Sequence, residues 1–194
     1  MSKHHQHVKE VLKCLCKTGF YAKAEKCKFY SKLVEYLEYI FSLSGLTMSD
    51  DKIKIIQDWL EPKKVKDIDI QFFLGFANFY CWLIFNYSDI VIPLICLTWK
   101  DISWKFDSSC QDAFNSLKKA FTSTPILTHW ISDAQLIVKT DALDYTLTAI
   151  LSIVNEDNEV YPVAFHSCTF TAAELNYDIH NKELLAIFKA FKIW

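Results

Sequence analysis

The 194-residue sequence predicts an α+β protein whose helical part precedes its main sheet. Between residues 49 and 121, apolar side chains recur at the three- and four-residue spacing of amphipathic helices. From residue 135 to 167 the pattern changes to short runs rich in β-branched and aromatic residues, separated by polar turns. Thr171 and Glu174 then match the T-x-x-E capping box that opens a helix. Together, these patterns predict a small helical unit followed by an antiparallel sheet and one further helix.

The first 47 residues combine one helical pattern with extended segments. Gly19 is a natural stop for the first helix. The apolar face of this helix consists of Val8, Val11, Leu12 and Leu15. Residues 24–47 contain the stretches CKFY and LVEYLEYIFSL, which are typical of extended structure and are closed by Gly45.

The helical region begins at Ser49, which can cap a helix that Pro62 stops. A second helix is expected over roughly residues 65–80. Asp107 or Ser108 can cap a third helix across the stretch SCQDAFNSLKKAF. The apolar face of that helix consists of Phe114, Leu117 and Phe121.

The last 60 residues predict a three-stranded meander. Strands are expected at residues 135–140, 147–154 and 160–167, and the polar turn NEDNE joins the second to the third. The capping box at Thr171 is expected to begin a helix that runs to the end of the chain. We expect the helices of residues 49–97 to pack as a separate bundle.

Composition and charge exclude several classes of protein. The formal net charge is -2, so any contact with nucleic acid must be local. Seven scattered cysteines contain no C-x-x-C pair, which argues against a disulfide framework and a zinc knuckle and favours a reducing compartment. The sequence lacks both an apolar run long enough for a membrane span and an N-terminal signal core. We therefore expect an intracellular protein of the cytoplasm or nucleus, neither secreted nor bound to a membrane.

Two carboxylates stand out by position. Asp141 follows an apolar run, and Glu183 falls within the apolar arc of the last helix. Each has an ordinary interpretation, because aspartate favours turns and a glutamate at the edge of an apolar stripe can bend toward water. However, an aspartate on a strand and a glutamate on a helix over that sheet can also come together, and oxygen ligands of this kind suit Mg²⁺. Asp141 and Glu183 are thus candidate metal ligands and catalytic residues.

Several stretches carry a family resemblance. TDALDYTLTAILS, YPVAFHSCTFTAAELNY and NKELLAIFKAFKIW resemble the start of the ribonuclease H domain in polyproteins of Ty3/gypsy-type LTR retrotransposons. PKKVKDIDIQFFLGFANFY and WKFDSSCQDAFNSLKKAFTSTPIL are similar to the thumb and connecting region of the same reverse transcriptase. VEYLEYIFSLSGL is similar to the tail of its palm. The resemblance covers essentially the whole chain, in the family's order.

The resemblance implies a division of the chain into four parts. Residues 1–47 correspond to the C-terminal part of the palm and residues 48–98 to a small helical thumb. Residues 99–130 correspond to the connecting helix region. Residues 131–194 correspond to a truncated ribonuclease H-like domain with three antiparallel strands and one helix.

The resemblance also implies roles for particular residues. Asp141 corresponds to the first metal-binding aspartate of ribonuclease H and Glu183 to its second acid, which implies Mg²⁺ as the cofactor. An RNA:DNA hybrid or a primer-template is the implied partner of the intact parent.

Two further stretches are candidates for nucleic-acid contact. Leu37, Glu38 and Tyr39 occupy the family's L-G-[HY] primer-grip position. Lys63 and Lys64 belong to the thumb and could contact phosphate, or could form an ordinary solvated helix start.

The chain departs from the family in two ways. The family's Y-x-D-D aspartates lie upstream of this sequence and its later ribonuclease H aspartates lie downstream, so we expect a fragment that needs the rest of the polyprotein. The second departure is a set of substitutions: Glu38 for glycine, Cys81 and Trp82 for arginines, Leu143 for serine and Cys168 for arginine. Each of them requires one C-to-T or G-to-A transition, which predicts a mutationally decayed genomic copy.

Two functional hypotheses remain open. The first is a segment of a reverse transcriptase and ribonuclease H, enzymatic by descent but inactive alone. The second is a non-catalytic remnant or a domesticated module that binds nucleic acid or protein.

Overall fold

The computed structural model describes residues 2–62, 68–99, 102–123 and 125–194. Its α-helices are α1 (Ser2–Lys17), α2 (Asp50–Gln57), α3 (Ile68–Phe79), α4 (Tyr87–Cys96), α5 (Ser108–Thr122) and α6 (Ile179–Ile193). Its strands are β1 (Leu33–Tyr36), β2 (Tyr39–Ser42), β3 (Gly45–Met48), β4 (Gln135–Ala142), β5 (Thr146–Val154) and β6 (Val160–Thr169). They form two antiparallel three-stranded sheets, β1-β2-β3 and β4-β5-β6. The predicted α+β class and the C-terminal meander with one helix are confirmed.

One apolar core joins helices α2 to α5 to both sheets. Phe73, Leu117 and Phe121 are almost fully buried in it, and it also contains Tyr39 of β2 and Phe165 of β6. The expectation of a separate bundle for residues 49–97 is therefore wrong. The physical reason is that α5 packs against α2 and α4, while the strands supply further apolar side chains to the same core.

Helix α5 forms as its local signals predict. Asp107 is the N-cap residue, and its Oδ1 accepts a hydrogen bond from the backbone N–H of Cys110 at 3.1 Å. This bond satisfies one of the otherwise unpaired N–H groups of the first turn, and it lowers the pKa of the Asp107 carboxyl. Helix α2 likewise begins after Ser49, although it ends at Gln57, before Pro62.

The last helix begins later than predicted. The capping box does form, since the backbone N–H of Thr171 donates to Glu174 Oε2 at 2.8 Å. However, the box opens only a single 3₁₀ turn at Glu174–Asn176. The chain is extended at Tyr177 and Asp178, and α6 starts at Ile179.

The stretch predicted as LVEYLEYIFSL is interrupted by a tight turn. Leu37 and Glu38 have φ values of 50° and 67°, and they connect β1 to β2 as a two-residue hairpin loop. Two successive positive φ angles match the twist of the flanking strands, but they favour glycine or asparagine. Glu38 therefore occupies a backbone conformation that suits glycine better than glutamate.

Candidate active site

The two candidate acids lie on elements that pack against each other, the C-terminal sheet and α6. Asp141 lies on β4, opposite Thr148 of β5. Glu183 lies on α6, which packs against β4 and β5. Ala142, the residue after Asp141, shares a small buried cluster with Ala186, one turn of helix beyond Glu183. This cluster joins the strand that carries one acid to the helical turn that carries the other.

Lys182 holds the first half of α6 beside the end of β4. Its Nζ donates a hydrogen bond to the backbone carbonyl of Asp144 at 3.1 Å and lies 5.4 Å from the ring centre of Phe170. Lys182 directly precedes Glu183, and Asp144 follows Asp141 by three residues. This hydrogen bond therefore joins the two chain segments that carry the candidate acids.

Both candidate acids are exposed and lack protein partners. Among the residues that the structure describes, none forms a hydrogen bond or an ion pair with the carboxylate of Asp141 or Glu183. No group of three or more metal-ligating side chains occurs in the same described ranges. Each of the two carboxylates thus offers free oxygen atoms, the kind of ligand that hard cations such as Mg²⁺ prefer.

An ion pair borders this region on α6. Lys189 Nζ lies 2.8 Å from Glu174 Oε1, and this contact, followed by the Thr171 N–H bond, lowers the pKa of the Glu174 carboxyl. Burial, and secondarily the charge of Lys189, lowers the pKa of His166. His166 therefore stays neutral near neutral pH, which suits a structural position on β6 rather than a cationic contact.

The second candidate region is the β1–β2 turn. Leu37 is exposed at its tip, whereas Tyr39 is buried. The Tyr39 hydroxyl donates to the carbonyl of Phe79 at 3.1 Å and accepts from Trp82 Nε1 at 2.9 Å. Tyr39 thus anchors the turn to the C-terminal end of α3. Lys63 and Lys64 lie outside the described residues.

Glu38 is tied to the helical core by two contacts. Its Oε1 lies 2.8 Å from Lys52 Nζ, and its Oε2 accepts a hydrogen bond from Tyr80 OH at 3.1 Å. These two bonds, the one from Lys52 first, lower the pKa of the Glu38 carboxyl. The negative charge at the turn is thus offset by a lysine of α2.

Sequence reasoning missed this network. Lys52 is 14 residues from Glu38, and Tyr80 is 42 residues away, so no helical or strand spacing connects them. The hairpin itself also lacks a sequence signal, because its two loop residues are leucine and glutamate rather than glycine or asparagine. Trp82 reaches the same turn through its hydrogen bond to Tyr39.

We expect the Glu38 contacts to stabilise the fold in a pH-dependent way. The lowered pKa means that the folded state favours the carboxylate, so its contribution is present above the unfolded value near 4.5 and is lost as pH falls through the folded value. Glu38→Gln should therefore melt at a lower temperature than the parent chain at pH 7, and the difference should shrink below pH 4.5. Thermal melts at several pH values measure this.

The matched control for this prediction is Glu35→Gln, which removes an exposed carboxylate from β1. Its melting temperature should stay close to that of the parent at every pH. A Glu38→Gln deficit that is the same at pH 3 and pH 7 would contradict the ionic contact.

Comparison with known proteins identifies the family. The model of an RNase H-like domain found in reverse transcriptase matches residues 106–194. The transposon Tf2-3 and Tf2-4 polyproteins of Schizosaccharomyces pombe are each 33% identical over 193 residues, which is 100% of this chain and 14% of each relative. This chain therefore spans about a seventh of the length of the curated relatives it matches.

Solved structures show the same fold. The foamy viral protease-reverse transcriptase in complex with RNA/DNA hybrid matches with a TM-score of 0.75 and 24% identity, over 98% of this chain and 26% of that one. The same enzyme in complex with dsDNA matches with a TM-score of 0.73 and 24% identity, over 98% of this chain and 39% of that one.

Residues 106–194 therefore match the RNase H-like domain found in reverse transcriptase. Over its whole length, the chain is similar to a segment of the polyproteins of Ty3/gypsy-type LTR retrotransposons. No helix in the described ranges is long and apolar enough to cross a membrane.

Proposed function

We propose that this chain supplies two metal ligands and part of the nucleic-acid surface to a retrotransposon reverse transcriptase and ribonuclease H, and that it is inactive alone. The observation that carries this proposal is the pair of unpartnered carboxylates, Asp141 on β4 and Glu183 on α6, beside one shared apolar cluster. Two exposed acids that no protein cation neutralises are suited to bind an ion from solution.

Magnesium is the ion that fits these residues. Asp141 and Glu183 would hold it through carboxylate oxygens, and water and substrate phosphate would complete its shell. When bound, Mg²⁺ stabilises charge on a phosphodiester during hydrolysis.

The proposed substrate of the complete enzyme is an RNA:DNA hybrid, with a primer-template for its polymerase part. The resemblance to the RNA/DNA and dsDNA complexes of the foamy viral enzyme supports this assignment. Leu37 and Glu38 stand at the tip of the hairpin that would face nucleic acid, with Tyr39 supporting them. Lys63 and Lys64 are proposed phosphate contacts on sequence grounds.

The division into palm, thumb, connecting region and ribonuclease H-like domain is also a proposal, with boundaries at residues 1–47, 48–98, 99–130 and 131–194. The family model begins at residue 106, inside the proposed connecting region. All seven cysteines are free thiols, which is compatible with the reducing interior of a cell.

A non-catalytic binding module is the second candidate. The observation that favours it is that substituted side chains have become part of the packing: Trp82 contacts Tyr39, and Cys168 borders the cluster around Leu147. Burial raises the pKa of the Cys168 thiol, so it stays neutral where an arginine would be charged. This candidate predicts nucleic-acid binding without any effect of Asp141 or Glu183.

The test compares ion binding and cleavage on one set of proteins. Mn²⁺ serves as a paramagnetic probe for Mg²⁺, and a labelled RNA:DNA hybrid serves as the substrate. We expect the chain to bind Mn²⁺ weakly, on the order of millimolar, because two carboxylates leave most of the hydration shell in place. We also expect the hybrid to be cleaved no faster than by Asp141→Asn/Glu183→Gln.

The matched control is Asp112→Asn/Glu156→Gln, which removes one exposed aspartate and one exposed glutamate elsewhere. It should keep the Mn²⁺ binding that Asp141→Asn/Glu183→Gln loses. Equal binding by the parent and Asp141→Asn/Glu183→Gln would refute the metal site. Cleavage by the parent that disappears in that double variant would refute inactivity and make the chain a minimal nuclease.

A further inference from the structure

The charge of this chain is distributed unevenly. Residues 1–32 contain eight lysines and two glutamates, a net charge of +6, whereas the remaining 162 residues contain 13 lysines and 21 acids, a net charge of -8. The chain contains no arginine, so every basic residue apart from histidine is a lysine. A local basic excess of this size within an acidic chain indicates an anionic partner for the N-terminal segment.

Helix α1 arranges part of this charge as a ridge. His5, Lys9, Lys13 and Lys17 recur at four-residue spacing and are all exposed. Residues four apart lie on one side of a helix and about 6 Å apart along its axis, so the ridge is about 18 Å long. Among the described residues, no carboxylate forms an ion pair with a ridge lysine, and the ion pair found in the segment joins Lys23 to Glu25 at 3.1 Å.

Exposed aromatic rings bracket the ridge at both ends. At the C-terminal end, the backbone N–H of Phe20 donates to the carbonyl of Leu15 at 3.0 Å, and Gly19 has a φ of 74°. This helix cap fixes the chain direction immediately before Tyr21, whose side chain is fully exposed. At the other end, the hydroxyl of Tyr30 lies 2.9 Å from a ring nitrogen of His5.

The aromatic rings are unusually open to solvent. The exposed fraction is 68% for Phe20, 100% for Tyr21, 52% for Phe29 and 52% for Tyr30. Burying such rings is favourable, and nucleic-acid bases present flat apolar faces on which they can stack.

We propose that residues 2–32 form a binding surface for single-stranded nucleic acid, in which the ridge lysines contact phosphates and Tyr21 stacks on a base. Lysine acts as a point charge and every base has a stacking face, so binding is insensitive to sequence. This surface goes beyond the proposed function, because it does not involve the candidate metal ligands on β4 and α6.

A single strand fits these features better than a duplex or a lipid surface. In a duplex the bases are already stacked, so exposed rings would gain nothing from it. An interfacial membrane helix commonly carries tryptophan or phenylalanine on its own apolar face. The corresponding face of α1 consists of Val8, Val11, Leu12 and Leu15, and the aromatic rings lie beyond the helix.

The experiment measures binding of a labelled 20-nucleotide single strand to the whole chain by fluorescence anisotropy, with EDTA present to remove divalent ions. Lys9→Gln/Lys13→Gln/Lys17→Gln should weaken binding at least about tenfold and lower the salt slope by about 2, since each lost contact on a single strand contributes about 0.7. Tyr21→Ala should weaken it about tenfold through lost stacking. Circular dichroism should show that each variant keeps its fold.

Matched controls distinguish binding at this surface from a general effect of the positive charge of the chain. Lys54→Gln/Lys119→Gln/Lys192→Gln removes three exposed lysines elsewhere, and Tyr177→Ala removes an exposed ring near α6. Both should bind within about twofold of the parent. Equal losses in both lysine triples would overturn the proposal. Equal affinity for the single strand and for a 20-base-pair duplex would also overturn it. The same holds if the ridge lysines are needed for binding to vesicles but not for binding to the oligonucleotide.

The design also distinguishes this surface from the metal site. Asp141→Asn/Glu183→Gln should bind the single strand like the parent in EDTA, whether or not it binds Mn²⁺. A loss of strand binding in that variant would place the surface on β4 and α6 instead, and would overturn the proposal.

Discussion

Joining the segment that follows the matched region in the transposon Tf2-3 polyprotein to this chain should create Mg²⁺-dependent cleavage of an RNA:DNA hybrid. By the family resemblance, that segment brings the additional acids that Asp141 and Glu183 lack. More carboxylates raise the affinity for Mg²⁺, and a second ion allows the attacking and leaving oxygens to be stabilised together. The extended protein should therefore cleave under conditions in which the 194-residue chain does not.

Within the extended protein, Asp141→Asn should lower the cleavage rate by at least about 100-fold. Loss of a metal ligand removes several kcal/mol of stabilisation from the transition state, and each 1.4 kcal/mol corresponds to about tenfold. Initial rates on a labelled hybrid, measured at saturating Mg²⁺, test this. A rescue of the variant by Mn²⁺ would further indicate a ligand role.

The matched control is Asp144→Asn, because Asp144 is also exposed and lies three residues away. It meets α6 through its backbone carbonyl, which the substitution leaves in place. Its rate should stay within about threefold of the extended parent. Similar rates for the two variants would contradict the role of Asp141, and a thermal melt would show that both remain folded.

The elements that the sequence predicts well depend on local interactions. Helix α5 is set by the Asp107 cap and by the spacing of Phe114, Leu117 and Phe121, all of which act within one helix. The β4–β5–β6 meander is set by runs rich in β-branched and aromatic residues and by short turns. In each case the residues that determine the element are its own.

The incorrect predictions concern features that depend on contacts between residues far apart in the sequence. The capping box at Thr171 is satisfied in a single turn, and nothing within it specifies where α6 begins. The shared core contains both Phe165 of β6 and Leu117 of α5, and no periodicity in the sequence predicts that these two residues share a core. The sequence pattern of residues 49–97 therefore gives no support to the assumption that a thumb folds separately.

In the candidate site, too, local features are predicted by the sequence and long-range contacts are not. Residue type and element place Asp141 on a strand and Glu183 on the helix packed over it. By contrast, the cation that offsets Glu38 comes from Lys52 on another element, and only the folded arrangement reveals it. The sequence shows the carboxylate of Glu38 but not the lysine that pairs with it.

Gly45→Ala should be among the most destabilising single substitutions in this chain. Gly45 begins β3 with a φ of 139°, which a residue with a Cβ rarely adopts. An added Cβ would overlap the backbone carbonyl oxygen of Leu127 and lie 2.8 Å from Cγ2 of Ile126. That carbonyl accepts a hydrogen bond from the Leu46 N–H at 2.7 Å, and the Leu127 N–H returns one at 3.1 Å. Strain and the weakened bridge together should cost about 3 kcal/mol or more.

Gly75→Ala is the matched control and should have the opposite sign. Gly75 lies within α3, and a Cβ built on it would meet no atom within 4 Å. Alanine in a helix interior is favoured over glycine by about 0.5–1 kcal/mol, because it loses less backbone entropy on folding. Urea titrations of the two variants and the parent give the free energies of unfolding. The bridge between Leu46 and Leu127 connects the N-terminal hairpin to the segment that leads into the C-terminal sheet. Equal stability of Gly45→Ala and the parent would contradict the importance of this bridge.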